Sequence, residues 1–321
     1  MVAFLKLIRL KNLLIIAFTQ YMVRWCIVYP ILKAHSRYYN LQLSELQFFL
    51  LVLSTTMIAA AGYIINDYFD VKIDKVNKPD RLVIDNGVKR RVAIGAHTVI
   101  NFLAIVIAGA VSFSIGSWRL VLIHFICALG LWFYSTTFKR QFFIGNFIIA
   151  AFTALVPLII TVYELMPAYR AYAPLEDDLS FKPVWKYTLA LSFFAFITTL
   201  LREIIKDMED YEGDKEYGCK TMPIIIGIRS SKIITIAIAV ITMILLAYIQ
   251  FLQWKSDHTI DFYYFLFALQ FPFIFLIYKT YSAATKHDFR FAGNTAKFIM
   301  LMGVCYLFIF AHFILSQIHA I

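Results

Sequence analysis

The chain has 321 residues, 61% of them hydrophobic and only 16% charged, where a soluble domain carries roughly 25% charged residues. With a mean hydropathy of +0.73, this excludes a soluble globular fold and makes the bilayer the natural solvent. The net charge of +10 does not indicate nucleic acid, because the basic residues lie between apolar runs and form no single patch.

Apolar stretches of spanning length, about 20 residues, recur nine times, at approximately 12–32, 46–66, 93–113, 117–137, 142–163, 184–206, 231–252, 261–281 and 294–318. The expected fold is therefore an all-α, multi-pass transmembrane bundle in the cell membrane, with residues 1–321 forming one domain. Lys6, Arg9 and Lys11 precede the first span, and most other basic residues fall on the same side of the predicted topology. By the positive-inside rule the N-terminus is cytoplasmic, and nine spans leave the C-terminus external. The segment 164–183 is then an external, acidic loop, and no removed signal peptide is expected. The four cysteines are scattered without a CxxC pair, and the seven histidines show no spacing for haem or zinc.

Chemistry is concentrated where the second and sixth spans end on the cytoplasmic side and run into the Asp-rich loops 2–3 and 6–7. The second ends in NDYFDVKID, with Asn66, Asp67, Asp70 and Asp74; the sixth ends in KDMEDYEGD, with Asp207, Asp210 and Asp214. Both triplets step by three and then four residues. On a continuous helix such positions fall within an arc of about 60°, so each would point three carboxylates one way. Six carboxylates near a membrane surface need a cationic partner. Hard oxygen ligands of this kind select Mg²⁺, which retains waters and takes substrate phosphate. A diphosphate bridged by Mg²⁺ between the triplets, with nearby Lys and Arg on the remaining oxygens, satisfies the inventory.

With these motifs in view, the chain resembles the UbiA superfamily of intramembrane prenyltransferases across nearly its whole length. The first motif continues into Asn77-Lys78-Pro79-Asp80-Arg81, and the second into Gly218, Lys220, Thr221 and Pro223. The stretch REIIKDMEDYEGD looks most like the branch that contains digeranylgeranylglyceryl phosphate synthase and chlorophyll synthase. Arg9-Leu10-Lys11-Asn12, Tyr134 with Lys139, and Gly145-Asn146 echo further family positions. Leu82 stands where the family usually has Pro.

The resemblance implies Mg²⁺-dependent transfer of an isoprenyl group, such as geranylgeranyl, from its diphosphate to a membrane-associated acceptor. Asn66, Asp67, Asp70 and Asp74 would hold one ion and Asp207, Asp210 and Asp214 another. Arg81, Lys139, Lys206 and Lys220 would bind diphosphate, with Asn12, Tyr134, Asn146 and Arg202 nearer the substrates. Tyr134 would either face the allylic cation with its ring or serve as an interfacial tyrosine. Arg24, deep in the first span, either binds an acceptor head group or forms an ion pair, with Glu164 as one candidate. The expected acceptor is a geranylgeranylglycerol-phosphate-like alcohol. The alternative is an aromatic quinone precursor, 4-hydroxybenzoate or 1,4-dihydroxy-2-naphthoate. A cation-coupled transporter is the rival from another class, but it would place its ionisable groups near the bilayer midplane. The membrane-edge aspartates of CDP-alcohol phosphotransferases come with a signature absent here.

Overall fold

The computed structural model describes residues 2–79, 82–174, 180–256 and 258–319. Among these, nine helices are long and apolar enough to cross a membrane. A short α1 (Val2–Leu7) precedes α2 (Leu10–His35), α3 (Glu45–Asn77), α4 (Arg90–Ser114), α5 (Trp118–Thr136), α6 (Ile144–Tyr172) and α7 (Lys182–Glu209). A second short helix, α8 (Tyr211–Glu216), leads to α9 (Met222–Lys255), α10 (Thr259–Ser282) and α11 (Lys286–Ile318). Helices suit this solvent because their backbone groups are satisfied within one segment.

Several spans run well past their apolar windows. Helix α3 starts at a capping box, in which Ser44 and Gln47 exchange side-chain and backbone hydrogen bonds. It continues to Asn77, so Asp67, Asp70 and Asp74 ride its last turns and do not lie in a following loop. Helix α6 reaches Tyr172, so residues 164–172, expected in an external loop, are helical. The break in α9 falls at Gly227, whose φ of 82° no ordinary side chain adopts readily.

Two spans share one irregularity. A wide π-type turn occupies Arg24–Val28 in α2 and Phe265–Gln270 in α10, with Pro30 and Pro272 just beyond. Proline supplies no N–H to the carbonyl four residues earlier, and a widened turn lets neighbouring N–H groups reach back five residues instead.

The backbone groups into two units, residues 1–139 with 156–188, and residues 140–155 with 189–321. In the first, α3 packs against α2, α4 and α5. Several of its buried side chains find polar partners inside the bundle, where lipid offers none. His124 lies 3.2 Å from Ser54 Oγ, and Tyr163 OH lies 2.8 Å from Ser112 Oγ. In the second unit, Leu201, Ile204, Ile205 and Met208 of α7 pack with Phe273 of α10 and with Ala292 and Ala296 of α11.

Helix α11 runs close against Phe194 at Gly303, where an added Cβ would lie 2.1 Å from Phe194 Cε1. Gly303→Ala is therefore expected to destabilise the protein by about 1–3 kcal/mol through overpacking, read as a lower unfolding midpoint in detergent. Adding Phe194→Leu should recover most of the loss; an unchanged midpoint in the single variant would contradict this packing.

Candidate active site

The first acid row is built on α3 and is met by cations from two other segments. A left-handed residue, Arg9 (φ 52°), separates α1 from α2. Its Nη2 lies 2.7 Å from Asp67 Oδ1, and its guanidinium stacks over the Tyr63 ring at 4.8 Å. Asn12, one turn on, donates to Tyr63 OH at 3.4 Å. Lys139, between α5 and α6, forms an ion pair with buried Asp70. Burial opposes the charge on Arg9 and on Lys139. Asp67 outweighs it for the first and Asp70 for the second, holding both cations protonated above their ordinary ranges. Asp74 and buried Tyr134 also lie within electrostatic reach of Lys139.

The second acid row departs from the continuous helix expected. Helix α7 ends at Glu209, Asp210 adopts φ −93° and ψ 7°, and Asp214 belongs to α8. The hydrogen bond from Asp214 N to Asp210 O, 3.1 Å, carries the chain across this break. Asp207 Oδ2 accepts from Asn146 Nδ2 at 2.8 Å, and Asp210 and Asp214 are both buried. One turn earlier, Glu203 Oε1 lies 2.5 Å from Arg202 Nη1 and Glu203 Oε2 lies 3.7 Å from Lys206 Nζ. Glu209 pairs with Arg290 of α11 at 2.9 Å. Lys220 docks through its backbone N–H on the Arg140 carbonyl, 2.8 Å, and its side chain is exposed.

Among the described residues, no three His, Cys, Asp or Glu side chains converge tightly enough to hold a metal ion. Asp67 and Asp70 turn to their cations, and Asp207 turns to an amide. The donor set nonetheless fits a hard cation. It is all oxygen, and Asn66 Oδ1 is buried with no hydrogen-bond partner among the described residues. Arg81 lies outside the described residues.

Arg24 takes the ion-pair alternative. Its Nε lies 2.9 Å from Glu164 Oε1, its Nη1 lies 3.0 Å from Glu45 Oε2, and its Nη2 donates to Leu43 O at 2.5 Å. Glu164 Oε2 in turn accepts from the backbone N–H groups of Gln42 and Leu43. Fifteen residues of helix separate Arg24 from Arg9, about 22 Å of rise, so this cluster lies far from the acid row of its own unit. Arg9 opens the RLKN stretch but has no expected site role, because with Lys6 and Lys11 before the first span it reads as a topology signal.

The fold and these polar clusters define a multi-pass helical membrane protein whose aspartates are held against cations and amides. A match to the UbiA prenyltransferase family runs over residues 25–297, and the chain belongs to that family. Among its relatives is the digeranylgeranylglyceryl phosphate synthase of Thermococcus gammatolerans, 30% identical over 83% of this chain and 84% of that protein. The synthase of the same name from Thermococcus sibiricus is 36% identical, over 57% of each chain; the aligned part thus spans little more than half of that relative's length. A solved structure of digeranylgeranylglyceryl phosphate synthase superposes with a TM-score of 0.60 at 24% identity, covering 96% of this chain and 97% of that one. The UbiA homologue from Archaeoglobus fulgidus bound to GPP and Mg²⁺ gives 0.56 at 16% identity, over 95% and 99%. At these identities the structural likenesses carry the fold alone.

Proposed function

We propose that the chain transfers an isoprenyl group, such as geranylgeranyl, from its diphosphate to the hydroxyl of a membrane-embedded glycerol-phosphate lipid resembling geranylgeranylglyceryl phosphate. The observation that carries this is the acid row Asp67–Asp70–Asp74 on one helix, with Arg9 and Lys139 already held against two of its members. Such a row suits a hard cation and a polyanion together. Similarity to digeranylgeranylglyceryl phosphate synthases supports the choice of acceptor.

Asn66, Asp67, Asp70 and Asp74 would hold one Mg²⁺, and Asp207, Asp210 and Asp214 another. The bound ions would neutralise charge developing on the leaving diphosphate. Lys139, Arg9, Arg81 and Lys220 would bind its outer oxygens when the acids turn to metal. Asn146 would fix the Asp207 carboxylate through the amide hydrogen bond it already donates. Tyr134, beside Lys139, would line the allylic end of the donor. The distribution of Lys and Arg supports a cytoplasmic N-terminus and an external C-terminus in the cell membrane.

The test is reconstitution of the purified protein in lipid with geranylgeranyl or farnesyl diphosphate, geranylgeranylglyceryl phosphate, and either Mg²⁺ or a chelator. Mg²⁺-dependent diphosphate release with a new ether lipid by mass spectrometry is expected. Release only with 4-hydroxybenzoate or 1,4-dihydroxy-2-naphthoate would replace the acceptor, and no release with any donor would sink the reading.

A further inference from the structure

The second unit holds a charged cluster that the metal and donor roles leave unused. Glu203 is buried and engages two cations, one on each oxygen, Arg202 at 2.5 Å and Lys206 at 3.7 Å. All three belong to α7, and Glu203 lies four residues before Asp207, about 6 Å further into the span. Arg202 and Lys206 each keep part of their side chain exposed, whereas Glu203 keeps little. A buried carboxylate flanked by two reachable cations matches a ligand that carries a hydroxyl close to a phosphate.

We propose that Arg202, Glu203 and Lys206 form the acceptor subsite, the two cations binding its phosphate and Glu203 taking the hydroxyl proton. This rests on the transferase reading above and reassigns Lys206, expected at the diphosphate, to the acceptor. In the reaction the allylic C–O bond breaks and its electron pair leaves with the diphosphate. A lone pair of the acceptor oxygen forms the new C–O bond, and the proton of that oxygen passes to a Glu203 carboxylate oxygen. A weak base suffices, because an oxygen bonded to an allylic cation is strongly acidic. Phosphate competes for Arg202 and Lys206 through charge-assisted hydrogen bonds. Acceptor binding thereby draws the cations off Glu203 and leaves its carboxylate more basic at the moment it is needed. The same rearrangement couples acceptor recognition to proton removal.

The experiment compares geranylgeranylglyceryl phosphate with its dephosphorylated counterpart, geranylgeranylglycerol, in kinetics and in equilibrium binding without Mg²⁺ or donor. Arg202→Ala and Lys206→Ala are expected to raise the acceptor KM and Kd about tenfold or more. They should abolish the preference for the phosphorylated acceptor and leave the donor KM within about twofold. Glu203→Gln should lower kcat about 100-fold or more with acceptor Kd little changed, and Glu203→Asp should restore part of the rate. Unfolding midpoints report whether each variant folds, with Arg202→Lys standing in if the alanine variant does not. A raised donor KM with unchanged acceptor binding, or an unaltered kcat in Glu203→Gln, would overturn the proposal. A wild-type protein inactive with every donor would overturn the transferase reading instead, while the donor-free binding measurement would still decide the subsite.

Discussion

Asp67→Ala and Asp207→Ala are each expected to reduce Mg²⁺-dependent diphosphate release by about 100-fold or more. Loss of one preorganised group that stabilises transition-state charge typically costs two to three orders of magnitude, and each alanine removes such a group from the proposed metal sites. The effects should differ in kind. In Asp67→Ala, Arg9 loses its 2.7 Å partner but is partly exposed and can reach water, so the unfolding midpoint should move little. Asp207→Ala strands the Asn146 amide, which now donates at 2.8 Å in a buried position, and should lower the midpoint as well as the rate. Asp67→Asn separates charge from volume: retained fold with lost Mg²⁺ dependence is expected. Activity within about tenfold of wild type in both alanine variants would remove the acid rows from the chemistry.

The largest effect on stability should come from Glu164→Ala. Arg24 and Glu164 are each only 1% exposed, and removing one partner of a buried pair costs about 3–5 kcal/mol because the other charge is left uncompensated. Glu45 cannot substitute, since its side chain is 70% exposed and such a pair contributes little. The variant also strips the acceptor from the backbone N–H groups of Gln42 and Leu43, at 2.7 and 3.2 Å. Glu164→Gln should fall between, retaining an acceptor oxygen without the charge. Thermal unfolding in detergent micelles measures all three proteins. Arg24→Met with Glu164→Leu should recover much of the loss, because an apolar pair needs no compensation. A Glu164→Ala midpoint equal to wild type would show that the Arg24 charge is satisfied some other way.

Hydropathy made the number of spans legible, since a run of about 20 apolar residues is a strong periodic-independent signal. Their ends were not. The last eleven residues of α3, from Asp67 to Asn77, are polar enough to look like a loop, yet they extend the helix. Residues 164–172 were hidden likewise by Glu164 and Arg170, although Glu164 is buried by its partner and not exposed by its charge. The step of three and four residues correctly placed one acid row on a helix. It gave no warning of the break at Asp210, which depends on backbone angles that identical spacing does not encode. Single ionic partners were the least legible feature. Glu164 was one named candidate for Arg24, whereas Arg9 for Asp67 joins residues 58 positions apart with no local pattern to mark the pair.

That distant pair, with Lys139 against Asp70, bears on the cost of ending a long apolar helix in a row of acids. Carboxylates close together beside an apolar medium repel one another and are costly to desolvate. Here α3 brings its carboxylates to the membrane edge with counterions drawn from the same polypeptide. Counterions that are part of the fold lower the cost of gathering Asp67 and Asp70 where an apolar span ends.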